Sequence, residues 1–188
     1  MAMEADWGVE IGPSAPIIDA HWAGFVDLQR SPELVLELEE VNTLPGLDAA
    51  LVRMNTTNSP VWTAKCDVWP VVDLAEVDED EMNATADSAR HAWGCYIDLL
   101  PKSDQTWATP AMAVDWCKSI CDQLHSVPLP CCRADLIVRR AVAAEDHTDI
   151  GITAYLTSCG TASEAANHVL GTALSRFVDT LRGGSTIE

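Results

Sequence analysis

Phenylalanine, tyrosine and lysine are scarce in this chain, which has two Phe, two Tyr and three Lys among 188 residues. The chain has 11 lysines and arginines and 29 aspartates and glutamates, so its formal net charge is −18. Binding to a nucleic-acid backbone or to an anionic membrane surface requires clustered cations. We therefore expect no direct nucleic-acid binding and no membrane partner. The charge would suit a cationic partner, but it can equally serve only to keep the protein soluble.

Long apolar runs and a secretion signal are also missing. No segment approaches the roughly 18 apolar residues that a membrane span needs. Residues 1–6 have neither the basic region nor the apolar stretch of a signal peptide. The seven cysteines are an odd number, which in the absence of such a signal is typical of reduced thiols. These features predict a cytoplasmic protein.

Motifs that specify a reaction are absent from the sequence as well. It has no G-x-S-x-G elbow, no H-E-x-x-H zinc motif, no P-loop and no G-x-G-x-x-G. Cys117, Cys121 and His125 share a helical face and Cys131 and Cys132 follow, but this spacing matches no zinc motif. Both helical cysteines also fall in an apolar stripe, where Cys behaves as a small hydrophobic residue. We therefore predict no metal and no cofactor.

The residues that are present predict an α+β fold. Hydrophobic residues make up 48% of the chain, and a chain of this length can bury a core without disulfides or metals. Alternation and capping signals predict strands at 7–11, 17–28, 61–72, 92–100, 133–143 and 149–158, and helices beginning near 31 and covering 46–56, 109–124 and 161–181. This order favours a mostly antiparallel sheet with helices packed on one face.

Strand-strand-helix order recurs along the chain and suggests repeated units. Residues 61–126 and 133–182 are the clearer pair, and 7–57 form a looser N-terminal unit. We expect one domain over 1–188, with 183–188 as a frayed tail. Residues 73–88 read as a solvated acidic connection that could instead dock a basic partner, and the acidic tip at 145–149 reads as a solvated hairpin turn.

Alternation along the strands also predicts which side chains face away from the helices. Thr63 belongs to this outward set, which mixes aromatic rings with both signs of charge, as a recognition surface requires. An ordinary solvated sheet face with cross-strand ion pairs would have the same composition. The candidate binding residues are Lys65, Asp67, Trp69, Tyr96, Asp98, Arg133, Asp135, Arg139 and Tyr155.

Tryptophan is the abundant aromatic residue, with seven copies. Trp22 and Trp62 fit core positions of their predicted strands. Trp69, Trp93, Trp107 and Trp116 are not obviously buried, and exposed tryptophans would favour a binding site.

Three functions are compatible with these features. The leading hypothesis is an acidic, soluble, cytosolic binding or interaction protein that uses the open sheet face to hold an unknown protein or small-molecule partner. The alternative is a small enzyme with a polar site built from Lys65, Asp67, Asp98, Asp135 and Arg139. A cavity that encloses several of these residues, one of them with a perturbed pKa, would favour the enzyme. A flat, aromatic-rich surface would favour the interaction protein. The third possible function is mimicry of a nucleic acid. It requires a regular, exposed stripe of carboxylates outside residues 73–81.

Overall fold

A computed structural model describes residues 1–20, 22–144 and 147–183. It contains six strands, three α-helices and four short 3-10 helices. The strands are β1 (Glu4–Glu10), β2 (Ile17–Asp19), β3 (Val61–Val71), β4 (His91–Pro101), β5 (Cys132–Ala144) and β6 (His147–Gly160); the α-helices are α1 (Leu47–Asn55), α2 (Pro110–Leu124) and α3 (Ser163–Gly183); the 3-10 helices are Pro32–Glu37, Glu39–Asn42, Leu74–Glu76 and Asp80–Met82.

All six strands join one sheet, in the order β1-β5-β6-β4-β3. The pairs β3–β4, β4–β6 and β5–β6 are antiparallel. Strands β1 and β2 both run parallel to β5, β1 beside 133–139 and β2 beside 140–142. The α+β class with a mostly antiparallel sheet is therefore confirmed.

The expected repetition of strand-strand-helix units is not confirmed. Antiparallel strand pairs followed by a helix occur at β3-β4-α2 and β5-β6-α3. The N-terminal unit is built differently, because β1 and β2 do not pair with each other but follow one another along β5. Residues 184–188 of the predicted tail, and residues 145 and 146 of the predicted hairpin tip, lie outside the described residues.

The helices pack on one face of the sheet because alternating strand positions and helical stripes are both apolar. Helix α3 packs on β6 and β4, and α2 on β1. In β5 the alternating residues Ala134, Leu136 and Val138 are buried and join Leu174 and Phe177 of α3 in the main core. We call the opposite face of the sheet the outer face; among the described residues, no α-helix packs on it.

The predicted strand at 17–28 is wrong beyond Asp19. Beyond β2 the amide of Ala20 still donates to the carbonyl of Val142, but the chain then turns away from β5. The Trp22 Nε1 donates to the carbonyl of Ala64 in β3, at the far edge of the sheet. Ala20 thus still bonds to β5 whereas the Trp22 indole reaches β3, so the predicted strand cannot continue along β5 to Leu28.

A β-bulge between Thr63 and Lys65 changes which side chains of β3 face outward. Before the bulge, Thr63 faces the helices, where Asn55 Nδ2 of α1 donates to its hydroxyl at 2.7 Å. After it, Lys65 and Asp67 lie on the outer face, opposite Asp98 and Tyr96. The prediction is wrong for Thr63 because one extra residue reverses the alternation.

Two tryptophans are placed differently from the prediction. Trp22 was expected in the core but is 38% exposed, because its segment is not a strand. Trp107 is only 1% exposed, and its Nε1 donates to the carbonyl of Ile150. The short segment before α2 thus carries a core residue that no periodic pattern marks.

All seven cysteines lie within the described residues and are free. In the described part of the chain no helix has the length and apolar character needed to cross a membrane.

Candidate functional site

The candidate binding residues all lie on strands β3 to β6, and their side chains share the outer face. Cross-strand pairing aligns Asp67, Tyr96, Tyr155 and Asp135 in one row across the sheet. The next row begins with Lys65, Asp98 and Thr153. Residues alternating with these, such as Ile97 and Leu156, are buried under the helices.

A cavity of about 350 Å³ opens on this face, and we call it the outer cavity. Its sheet side consists of candidate residues from all four strands. The rest of its lining consists of Pro16, Trp22 and the three residues of β2, Ile17, Ile18 and Asp19. The candidates that line it are Lys65, Tyr96, Asp98, Arg139 and Tyr155.

Asp98 is the most enclosed polar group of the cavity, with 8% of its surface exposed. Its Oδ1 accepts a 2.6 Å hydrogen bond from the hydroxyl of Thr153. Burial raises the pKa of the Asp98 carboxyl, while the Thr153 hydrogen bond and the charges of Arg139 and Lys65 oppose the increase. Among the described residues no cation forms an ion pair with this carboxyl.

Arg139 holds the cavity's far wall, and its guanidinium is almost fully engaged. Nε and Nη2 donate to Oε2 of Glu10 at 3.1 and 2.7 Å. Nη1 donates to the hydroxyls of Thr153 and Tyr155 at 3.2 and 3.1 Å. Desolvation lowers the pKa of Arg139, but the hydrogen bonds that its guanidinium donates to Tyr155 and Glu10 outweigh this effect, so the pKa is raised. Arg139 therefore positions its neighbours and has little capacity left for a ligand.

Lys65 forms the opposite wall, on the edge strand β3. Its Nζ lies 5.2 Å from the centre of the Trp22 ring, a cation–π distance. It forms no ion pair with a carboxylate of the described residues, even though Asp98 is its cross-strand partner. The Lys65 ammonium is thus available to a ligand.

Aromatic rings extend the site beyond the cavity. Trp69 lies 6.1 Å from Tyr96, and Tyr96 lies 6.0 Å from Tyr155, measured between ring centres. Trp69 can lie against the sheet because Gly94 is opposite, where a Cβ would be 2.8 Å from its ring. Burial and nearby carboxylates raise the pKa of Tyr96, so its hydroxyl keeps its proton.

Arg133 and Asp135 belong to a separate cluster on the same face. Arg133 Nε donates to both oxygens of Asp135, and its Nη1 donates to Glu81. This ion pair ties the acidic segment to the sheet, and Met82 anchors it by packing on Ala92 and Cys159. The segment at 73–88 is therefore not only a solvated connection.

Two residues of the site could not be identified from the sequence: Trp22, which lines the cavity, and Glu10, which holds Arg139 from outside it. Trp22 was predicted to be core, and nothing in its local pattern signals that its indole reaches β3. Glu10 was not considered, since its role depends on the parallel register that sets it beside Arg139.

The other candidate sites are not assembled. Within the described residues no group of three or more His, Cys, Asp or Glu side chains could hold a metal ion. Cys117 and Cys121 are buried in the core, and burial raises the pKa of both thiols to about 12. Of the three aspartates in the predicted enzyme site, Asp98 lines the cavity whereas Asp67 and Asp135 do not.

No protein-family model matches this chain, and neither the curated proteins nor the solved structures contain a significant match to it.

Proposed function

We propose that this is a binding protein that takes a small ligand, or a group of a partner molecule, into the outer cavity without converting it. The observation that carries the proposal is the cavity itself, in which three aromatic and four charged residues are among those that line about 350 Å³. Sites for small ligands typically enclose roughly 300–1,000 Å³ with a few polar groups among aromatic ones.

The polar groups of the cavity support binding because several remain free to contact a ligand. The Lys65 ammonium and the Asp98 carboxyl have no ion-pair partner within the described residues. The tyrosine rings supply contact area, and Arg139 holds Tyr155 in place. Such a combination gives orientation and contact without requiring a reaction.

An enzyme is the second candidate, and one observation favours it. The cavity encloses Lys65, Asp98 and Arg139, and the pKa of Asp98 is raised by burial. A carboxyl with a raised pKa beside a free lysine is suited to proton transfer. We rank this function second because Arg139 is occupied by Glu10 and because Asp67 and Asp135 lie outside the cavity.

A nucleic-acid mimic is not favoured by the distribution of charge. On the outer face Glu10 is paired with Arg139, and Asp6 and Asp135 with Arg133. Mimicry needs a continuous row of free carboxylates. On the outer face these carboxylates are instead paired with Arg133 and Arg139.

We also propose that the protein resides in the cytoplasm with reduced cysteines. The support is that all seven thiols are free, since disulfides persist in oxidising compartments. Detection of disulfide-linked peptides in protein isolated from its host would overturn this proposal.

Binding can be tested by two-dimensional NMR with a panel of amino acids, amines, carboxylic acids and their amides. We expect at least one member to shift the amide resonances around Tyr96 and Tyr155. Tyr96→Ala should abolish the shifts, whereas Trp7→Ala, which removes a partly exposed ring beside Lys118 of α2 and outside the cavity, should retain them. Absence of shifts with every member, or shifts that Tyr96→Ala leaves unchanged, would contradict the proposal. Recovery of a chemically altered ligand, dependent on Asp98, would favour the enzyme.

A further inference from the structure

We propose that the outer cavity binds a small zwitterion of the amino-acid type, with its ammonium group on Asp98 and its carboxylate on Lys65. This inference rests on the proposed binding function and specifies the chemistry of the ligand. It follows from the arrangement of charges in the cavity.

The first observation is that Lys65 and Asp98 are opposite each other on β3 and β4 but do not form an ion pair. The Lys65 ammonium lies over the Trp22 ring. Asp98 is fixed by Thr153 through one oxygen, and its second oxygen has no hydrogen-bond partner among the described residues. The cavity therefore offers one unpaired cation and one unpaired anion.

The second observation concerns the other charged groups in and beside the cavity. The Glu10 carboxylate pairs with Arg139 at 2.7 Å, so these two charges largely cancel. Asp19 also lines the cavity and has an interaction of its own within the structure. Of the three charged candidate residues that line the cavity, Lys65 and Asp98 are thus the two that have no ion-pair partner among the described residues.

A ligand of one charge sign would meet repulsion in this site. A cation that pairs with Asp98 also lies near Lys65, and an anion that pairs with Lys65 also lies near Asp98. A partly buried charge that lacks a partner destabilises the complex. A zwitterion neutralises both groups at once, because its own two charges are only a few bonds apart.

The aromatic lining indicates what the rest of the ligand contacts. Tyr96 and Tyr155 lie side by side on the sheet and Trp22 lies across from them. Their rings offer apolar contact area next to the charged pair. We therefore expect an amino acid with an apolar or aromatic side chain to bind better than glycine.

Four derivatives of one amino acid separate the contributions of the two charges. They are L-phenylalanine, N-acetyl-L-phenylalanine, L-phenylalanine amide and N-acetyl-L-phenylalanine amide, titrated at neutral pH with NMR detection. We expect L-phenylalanine to bind most tightly. Removal of either charge should weaken binding by about tenfold, as expected for the loss of one charged hydrogen-bonding contact.

Variants assign each charge to its residue. Asp98→Asn should remove the preference for the free ammonium group, and Lys65→Gln the preference for the free carboxylate. Asp67→Asn is the matched control, because Asp67 lies on the same face outside the cavity. It should leave all four affinities within about twofold of the wild type, since exposed charges contribute little.

The possible outcomes distinguish this inference from the proposed function. If a derivative with one charge or none binds at the cavity as tightly as the amino acid, the inference is wrong and the binding function stands. If none of the four derivatives binds, the inference also fails, and the wider panel decides the binding function. If Asp67→Asn weakens binding as much as Asp98→Asn, the assignment of the ammonium group to Asp98 is wrong.

Discussion

Thr153 donates a 2.6 Å hydrogen bond from its hydroxyl to Oδ1 of Asp98 on the neighbouring strand β4. The direction of this bond is determined by Arg139, whose Nη1 donates to the same hydroxyl oxygen. The hydroxyl proton must therefore point to Asp98. A chain of bonds thus runs from Glu10 at the sheet edge through Arg139 and Thr153 to the carboxyl in the cavity.

Thr153→Val tests this chain by replacing the hydroxyl with a methyl group of similar size. We expect the pKa of Asp98 to rise further, because the Thr153 hydrogen bond lowers it. The free energy of unfolding should fall by about 1–3 kcal/mol, the cost of a lost hydrogen bond to a charged group. Carboxyl NMR titration and urea unfolding measure the two effects. Thr157→Val, a change on the same strand and face, should leave the pKa of Asp98 unchanged.

The raised pKa of Asp98 predicts a specific pH dependence of stability. In the unfolded chain this carboxyl has a pKa near 3.8, and in the folded protein a higher one. Between the two values the folded state holds more protons, so Asp98 makes stability fall as the pH rises through that window. Above the folded pKa the destabilisation is complete.

Asp98→Asn removes this titration while keeping an oxygen that can accept from Thr153. Its stability relative to the wild type should therefore increase as the pH rises from 3.8 through the raised pKa. Urea unfolding at a series of pH values measures the difference. The exposed residue Asp67 supplies the control, Asp67→Asn. If the stability difference between Asp98→Asn and the wild type did not depend on pH, or equalled that of the control, the pH dependence would not come from Asp98.

Gly160→Ala should destabilise the junction of β6 and α3. A Cβ at this position would lie 2.6 Å from the backbone nitrogen of Ala166, in the first turns of α3. Backbone cannot move aside as a side chain can, so we expect a loss of about 1–3 kcal/mol in the free energy of unfolding. Gly12→Ala is the control, since no atom lies within 4 Å of its Cβ. Equal stabilities of the two variants would show that the close approach is absent.

Cys117 and Cys121 should resist alkylation in the folded protein. Both are buried in the core and burial raises the pKa of both thiols to about 12, so little reactive thiolate forms. Iodoacetamide treatment followed by peptide mass spectrometry should label them only in urea. Labelling under native conditions, at a rate similar to that of the half-buried Cys131, would show that α2 does not pack as described.

The sequence predicted the outer face correctly where a strand is regular. In β5 and β6 the period-two pattern of Leu136, Val138, Ile152 and Leu156 identified the buried positions, so the intervening residues had to face outward. Arg139 and Tyr155 were found in this way.

Prediction from the sequence failed where the position of a residue depends on a distant part of the chain. The bulge that turns Thr63 inward is visible only in the pairing of β3 with β4, because Lys65 then lies opposite Asp98. Trp22 fits a strand pattern locally, but its indole reaches Ala64 after the chain leaves β5. Neither feature leaves a periodic signal in the sequence.

The sequence by itself thus determined the fold class, the extent of most strands and helices and the outward positions on the regular strands, because alternation and helix capping depend on neighbouring residues. The order of the strands, the bulge, the contact of Trp22 with β3 and the ion pair of Glu10 with Arg139 were decided only by the tertiary structure. They depend on hydrogen-bond register and packing between residues far apart in the chain. The outer cavity, and the charged pair Lys65 and Asp98 that faces it, therefore emerged only when these distant segments were brought together.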